Sequence, residues 1–419
     1  MTAATRQAPG GERIRTAFWT LSDQAAVSIG AFAANVTLAR RLPTADYGTV
    51  GLLFSGILMG QMVFGSLVFH PLSIRGSVIV GRARAELASA SLIVGALLSA
   101  PLGAILCLML GIAGRPDLIA PALCLFLAWQ LQETLRRNLL SELRFRTATI
   151  GDMAAYLGQA VLALALAAAG LLTLKSFLWS AAGLFLAAAG IQATQIPFAL
   201  ASRERWRSLG HDFWAAGSWS LLSNAVSIAR LQTTPWLLAS LHGPGGVALL
   251  QAASNVVNLV NPVLTALCNV IPQAAARESG RGATAAWRAA RHYALLGLPL
   301  VLLTLAFTLA EPELLLRTIY GANSPFAALG QEVRILVFAA AMGFVTETTC
   351  SYFHGIDRAR SAFVSNAAGA LACLLAIPLI WTRGVVGACL AIAAIQAIRL
   401  LTAQIVLART IAADVERPA

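Results

Sequence analysis

The sequence predicts an all-α membrane protein with about twelve transmembrane helices, arranged as two parallel-related six-helix bundles around a central cavity. Of its 419 residues, 58% are hydrophobic and only 11% are charged, whereas an ordinary soluble domain has about 25% charged residues. A transmembrane helix needs about 20 predominantly apolar residues, and twelve such stretches occur between short polar turns. An internal repeat predicts that the twelve helices form two bundles.

The repeat relates residues 128–152, AWQLQETLRRNLLSELRFRTATIGD, to residues 342–366, MGFVTETTCSYFHGIDRARSAFVSN. Each copy has an apolar segment with one carboxylate, a basic turn and a second apolar segment. The matching residues are Glu133 and Glu347, Thr134 and Thr348, Arg144 and Arg358, Arg146 and Arg360, and Asp152 and Asn366. Six predicted spans separate the copies, so both halves have the same orientation. Parallel repeats of this kind favour a substrate site between the halves and alternating access.

The predicted spans define three regions of the chain. They cover residues 17–39, 48–70, 88–111, 118–140, 150–172, 176–200, 218–241, 246–271, 293–310, 330–353, 361–382 and 385–408. Residues 1–200 form an N-terminal six-helix bundle and residues 218–419 a C-terminal one, in which Gln396 repeats Gln192. Between them, residues 201–217 carry Trp206, Trp214 and basic residues at spacings suited to a cytoplasmic helix on the bilayer surface. An Arg-rich inner loop is predicted at 277–291 and an outer loop at 311–328.

The net charge of +12 is distributed as in a membrane protein rather than a nucleic-acid-binding one. With a cytoplasmic N-terminus, basic residues on the inner side outnumber those on the outer side about threefold, which is the positive-inside bias. Both termini are therefore predicted to be cytoplasmic, and membrane lipids are predicted partners.

Polar residues in spans 7 and 8 are the predicted substrate contacts. Arg230 shares a helix face with Ser223, Ser227 and Thr234, and a guanidinium offers paired donors to a phosphate. Span 8 is rich in amides, which suit sugar hydroxyls, and Asn261-Pro262 is predicted to interrupt it. The predicted substrate-binding residues are Asn224, Ser227, Arg230, Thr234, Asn255 and Asn258. Two other interpretations stay open: an ion pair of Arg230 with Asp23 or a glutamate, and hydrogen bonds between helices for the amides.

Three embedded carboxylates, Asp23, Glu133 and Glu347, are candidates for ion coupling. An ionisable group at the centre of a span costs about 2.5–3.5 kcal/mol on insertion scales, so such groups need a cavity or a partner. Burial favours the neutral form of a carboxyl group and so suits it to proton exchange. The alternative is pairing of the glutamates with Arg136, Arg137 or Arg230. Arg399 is interpreted as structural or interfacial.

Several classes of site are not indicated. The six cysteines lie in apolar stretches without CxxC spacing, and the five histidines have no metal-binding spacing. No GxxxxGK[ST] loop for ATP occurs. The sequence therefore predicts no metal, no cofactor and no enzymatic activity.

Several segments together resemble a known family. They are LARRLPTADYGTVGLLFS (38–55), LLLRTIYGANSPFAA (314–328), GIDRARSAFVSN (355–366) and RGVVGACLA (383–391). With the repeat of six spans, they look like polysaccharide-export flippases of the multidrug/oligosaccharidyl-lipid/polysaccharide exporter superfamily. The resemblance implies translocation of an undecaprenyl-pyrophosphate-linked oligosaccharide across the bacterial inner membrane for polysaccharide biosynthesis. It also suggests a glycan polymerase and glycosyltransferases as partners.

Two other functions are compatible with the sequence. A cation-coupled multidrug exporter would use the same architecture. A membrane-embedded glycan polymerase or ligase would be expected to have a large outer loop with catalytic residues, which the short segment 311–328 does not provide.

Overall fold

A computed structural model describes residues 10–76, 79–142 and 144–415. These residues contain fifteen α-helices and no strand, which confirms the predicted all-α class. The helices are α1 Gly10–Arg41, α2 Thr44–Phe64, α3 His70–Gly76, α4 Arg82–Ile112, α5 Ile119–Ser141, α6 Phe145–Asp152, α7 Gly158–Ala168, α8 Leu174–Ala193, α9 Arg203–Val257, α10 Asn261–Glu278, α11 Ala283–Ala310, α12 Pro312–Tyr320, α13 Gly330–Gly355, α14 Ala359–Ala372 and α15 Ala376–Val415.

The helices are those of a multi-pass membrane protein. Within the described ranges, nine helical stretches are long and apolar enough to cross a membrane. Two of them, 224–281 and 359–414, have 58 and 56 residues, and each overlaps two of the predicted spans. The nine stretches therefore correspond to eleven predicted spans, and α1 contains the first.

Two polar segments are more helical than predicted. Residues 201–217 do not form a separate surface helix, because α9 begins at Arg203 and continues to a break at Gly243, where φ is +73°. The segment has no proline before Pro235 to end the helix. The predicted loop 277–291 is also largely helical: a single 3-10 turn, Ser279–Arg281, and Gly282 separate α10 from α11. Gly282 has φ +102°, a conformation that glycine adopts without steric cost.

Four breaks interrupt the predicted spans, and they lie in the same two spans of each half. π-helical segments lie at Gly65–Phe69 and Met153–Leu157, and 3-10 turns lie at Asn258–Val260 and Cys373–Leu375. These are the second and fifth spans of each half. The break after Val257 confirms the interruption predicted from Asn261-Pro262, since α10 begins at Asn261 with the proline in its first turn.

The chain divides into two compact units. The first unit comprises Met1–Leu42 and Gly56–Leu222, and the second comprises Pro43–Ser55 and Ser223–Ala419. These limits differ from the predicted regions, because the predicted linker belongs to the first unit and the start of α2 to the second. The start of α2 packs directly on backbone: a Cβ at Gly48 would lie 1.7 Å from the carbonyl oxygen of Pro244. Only glycine fits at this contact.

Small residues form much of the buried core in each unit. In the first unit, Ala88, Ala148 and Ala189 pack with Leu135 and Leu139, so that α4, α5, α6 and α8 meet. The corresponding core of the second unit includes Ala275, Ala286, Ala290, Tyr352 and Phe353. Small side chains let membrane helices approach closely, which gives the packing that associates them in lipid.

Candidate functional site

A buried cluster of charged side chains lies in the first unit around Arg136. Its Nη2 atom donates to Asp23 Oδ2 at 2.6 Å, its Nη1 atom lies 3.3 Å from Glu133 Oε1, and its Nε atom contacts Asp152. Glu133 also accepts from Arg137 Nε at 2.6 Å. We call these five residues the acidic cluster, because three carboxylates and two guanidinium groups leave one net negative charge when all are ionised.

Three helices build the acidic cluster. Glu133, Arg136 and Arg137 lie at i, i+3 and i+4 of α5, where side chains of one helix meet. Asp23 comes from α1, and Asp152 is the last residue of α6, immediately before the π-helical segment. Such segments occur frequently at functional sites.

Amide side chains hold Asp152 in place. Gln132 Nε2 donates to Asp152 Oδ1 at 2.8 Å and approaches Gln192 Oε1 at 3.4 Å, while Gln192 Nε2 donates to the Ala148 carbonyl at 3.3 Å. Asp23 Oδ1, by contrast, is buried without a hydrogen-bond partner among the described residues. One carboxylate oxygen of the cluster is therefore not satisfied by any donor among the described residues.

The second unit contains a related cluster around Arg399. Its Nη2 atom donates to Glu347 Oε1 at 2.9 Å and to Asn366 Oδ1 at 2.8 Å, and its Nη1 atom donates to Gln396 Oε1 at 2.7 Å. Only 1% of the Arg399 side chain is exposed, against 40% for Glu347. With Arg230 beside them, these residues form the basic cluster, in which two guanidinium groups and one carboxylate leave one net positive charge.

Arg230 is the unpaired cation of the basic cluster. The side chains of Arg230 and Arg399 both pack against Gly369. A Cβ at that glycine would lie 2.6 Å from Arg399 Cγ and 2.9 Å from Arg230 Cδ. The buried Nε atom of Arg230 has no hydrogen-bond partner, and no ion pair joins its guanidinium to the described part of the chain. A buried charge without a partner is costly, so this position suits an anionic ligand.

The other predicted substrate contacts have different surroundings. Thr234 is buried and its hydroxyl has no partner among the described side chains, while Asn224 and Ser227 are half-buried. Asn255 Nδ2 donates to Tyr47 Oη at 3.1 Å and approaches Tyr320 Oη at 3.5 Å. Asn258 is exposed in the 3-10 turn. Asn255 thus joins helices, as the alternative interpretation expected, whereas Asn258 is open to a ligand.

The structure brings some predicted site residues together and separates others. Asp23 and Glu133 share Arg136, whereas Glu347 pairs with Arg399 instead of Arg230. Asp152 was not among the predicted site residues. The signal that could have identified it is the repeat, because Asp152 matches Asn366, and Gln192 matches Gln396.

No obvious metal site accompanies these clusters. In the ranges that the structure describes, no group of three or more His, Cys, Asp or Glu residues could hold a metal ion.

Comparison with known proteins gives the fold. An inward-facing multidrug resistance MATE family transporter of the MOP superfamily aligns with a TM-score of 0.78 and 15% identity, over 94% of this chain and 96% of that chain. The lipid II flippase MurJ, in an inward closed conformation, aligns with a TM-score of 0.70 and 13% identity, over 93% and 87%. A MOP superfamily transporter from Pyrococcus furiosus aligns with a TM-score of 0.66 and 14% identity, over 96% of each chain. The chain therefore has the fold of MOP superfamily transporters. No protein-family model and no curated protein sequence matches it.

Proposed function

We propose that this chain, which has the fold of MOP superfamily transporters, translocates a lipid-linked oligosaccharide across a bacterial inner membrane by alternating access. The observation that carries the proposal is the unpaired guanidinium of Arg230 in the basic cluster. The substrate is an undecaprenyl-pyrophosphate-linked oligosaccharide, and the transport serves polysaccharide biosynthesis. The protein moves this substrate without changing it chemically, and both termini are cytoplasmic.

Arg230 supplies the charge for the pyrophosphate. Arg399 is less suited to this role, because Glu347, Asn366 and Gln396 already accept hydrogen bonds from its two Nη atoms. Arg230 has no such partners, and a guanidinium can give two parallel hydrogen bonds to phosphate oxygens. The net positive charge of the cluster further favours a dianionic group. A neighbour with the same fold is a lipid II flippase, which is consistent with a lipid-linked substrate.

The polar residues near Arg230 on α9, with Asn258, accommodate the sugar. Asn224, Ser227 and Thr234 lie on the same helix as Arg230, and hydroxyl and amide groups can both donate to and accept from sugar hydroxyls. Asn255 is left out of this role because its amide already contacts Tyr47.

The acidic cluster couples transport to protons. Asp23 Oδ1 is a buried acceptor without a partner, and the cluster has one more carboxylate than guanidinium groups. Uptake of one proton would neutralise it. Glu347 has no surplus of this kind, because Arg399 and Arg230 together outnumber it.

A fluorescent undecaprenyl-pyrophosphate sugar in proteoliposomes tests the proposal. Flipping is measured as loss of the probe from the outer leaflet, with and without a proton gradient. We expect Arg230→Ala to abolish flipping and Arg230→Lys to retain part of it, because lysine keeps the charge but not the paired donors. Arg281→Ala is the matched control, since Arg281 forms an exposed ion pair with Glu278. Normal flipping by Arg230→Ala would exclude Arg230 from substrate binding.

A cation-coupled multidrug exporter is the second candidate, and the acidic cluster favours it. A lipophilic cation would be attracted by the net negative charge around Asp23 and Glu133, and a multidrug transporter has the same fold. Efflux of a fluorescent lipophilic cation distinguishes the two. An exporter of this type would lose efflux in Asp23→Asn and keep it in Arg230→Ala, whereas the flippase would show no cation efflux.

A further inference from the structure

A cavity of about 170 Å³ lies within the first unit, and no residue of the acidic cluster lines it. It is formed by α2, α4 and α5, at the middle of the long apolar stretches of α4 and α5. Nine residues line it, and all are uncharged. A charged ligand would therefore find no partner there.

Gln130 is the polar group of the cavity. The residue is 2% exposed, and neither Nε2 nor Oε1 of its amide has a hydrogen-bond partner among the described residues. Buried amides are normally hydrogen-bonded, because an unpaired one loses the water that would otherwise solvate it. The hydroxyls of Thr134 and Ser99 also line the cavity, but each donates to its own helix and can only accept. Together the walls offer amide donors and several acceptors.

The opening of the cavity is apolar. Leu127 and Leu131 are 43% and 39% exposed, and Ala96 beside them is exposed as well. Side chains of this type at the middle of a membrane span are solvated by lipid chains. An occupant therefore enters from the hydrocarbon layer.

The cavity is too large to be filled by a single water molecule. Water occupies about 30 Å³ in the liquid, and an engineered cavity of about 150 Å³ holds benzene. This cavity can take a hydroxyl group with the first carbon atoms of a chain. Phe64 and Leu92 would pack against those carbons.

We infer that this cavity binds the hydroxyl end of an uncharged membrane amphiphile, with Gln130 as its hydrogen-bond partner. The site shares no residue with the proposed substrate contacts and does not depend on the proposed function.

The test uses a photoactivatable alcohol. Wild-type protein in lipid nanodiscs is labelled with an octanol that carries a diazirine, and with the octane that carries the same group, and the adducts are located by peptide mass spectrometry. We expect the alcohol to label residues 92–99 and 127–134 about fivefold to tenfold more than the hydrocarbon does, as one added hydrogen bond predicts. Excess unlabelled octanol should compete with this labelling.

Matched variants distinguish labelling that depends on the Gln130 amide from labelling by general contact with lipid. Gln130→Leu keeps the volume and should reduce alcohol labelling to the hydrocarbon level. Gln159→Leu is the control, because Gln159 is also buried with an unpaired Nε2 atom in the first unit but does not line this cavity. Thr134→Val removes one acceptor and should reduce alcohol labelling by a smaller factor than Gln130→Leu does. This second variant tests the inference if Gln130→Leu does not fold. Equal labelling by the two probes, alcohol labelling that survives Gln130→Leu, or no labelling at either segment would overturn the inference.

Discussion

The acidic and basic clusters use the same scaffold for opposite charges. Each has a glutamate from the repeat. The glutamine from the last span of each half belongs to the basic cluster as Gln396, whereas Gln192 reaches the acidic cluster only through Gln132. In the first unit the cation, Arg136, contacts three carboxylates. In the second unit, Arg399 contacts one carboxylate and two amides, and Arg230 Nε has no hydrogen-bond partner among the described residues. A repeat can therefore keep helix positions while changing which ion a cluster attracts.

Glu133 and Glu347 also differ in how far their side chains are exposed. The Glu133 side chain is 7% exposed, whereas that of Glu347 is 40% exposed. Glu133 is thus part of a closed network, and Glu347 is open to solvent, lipid or ligand on one side. We expect substitutions in the acidic cluster to affect stability and those in the basic cluster to affect mainly binding.

The largest effect is expected for Arg136→Gln. It leaves Asp23 and Asp152 buried without their shared cation, and removal of one partner of a buried ion pair costs about 3–5 kcal/mol. The Tm of the purified protein should fall sharply, and Arg399→Gln should lower it less, because Glu347 is partly exposed and Arg230 lies nearby. An equal fall for both variants would contradict the difference between the clusters.

A smaller effect of the opposite sign is expected for Asn366→Asp. The change gives Arg399 a second carboxylate, as Arg136 has, and brings the basic cluster to neutrality. A hydrogen bond to a charged group contributes about 1.5 kcal/mol or more, so the Tm should rise while flipping falls. Asn366→Ala serves as the control, since it removes the acceptor without adding charge. A lower Tm for Asn366→Asp would show that the net positive charge of the basic cluster does not destabilise the fold.

Arg230→Gln should change stability least among the clustered residues. No ion pair is lost and an unpaired buried charge is removed, so we expect the free energy of unfolding to stay the same or to rise although flipping is lost. Thermal unfolding measured in parallel with the flipping assay separates the two effects. A loss of stability comparable to that of Arg136→Gln would mean that Arg230 is structural.

The smallest effect is expected for an exposed ion pair outside the clusters. A hydrogen bond from its own backbone, with that from Arg334, holds the pKa of Glu313 below its ordinary value. A lowered carboxyl pKa stabilises the fold at neutral pH, and this contribution is lost as the pH falls through the folded-state pKa, below about 4.5. Because the pair is exposed, Glu313→Gln should barely change the Tm at pH 7 and should reduce its fall on acidification only slightly. A large change in Tm at pH 7 would contradict the surface assignment.

The sequence predicted the helices better than the contacts between them. Apolar length and the repeat were sufficient to predict the all-α class and the long apolar helices. The repeat did not indicate that the cation would come from α5 in one half and from α15 in the other. Partner choice depends on which helix faces are adjacent, and periodicity alone does not determine this. Polarity between spans likewise does not require a break in the helix, since α9 begins at Arg203, within the polar segment.

The two sharp bends in the second unit have a mechanical consequence. α9 turns at Gly243 and α15 at Gly384, where φ is +55°, and His242 Nε2 lies 2.8 Å from the Ile380 carbonyl oxygen. This hydrogen bond joins the residue just before the bend in α9 to a residue four positions before the bend in α15. If either helix changes its angle at its bend during a transport cycle, the motion must break this hydrogen bond or move the other helix as well.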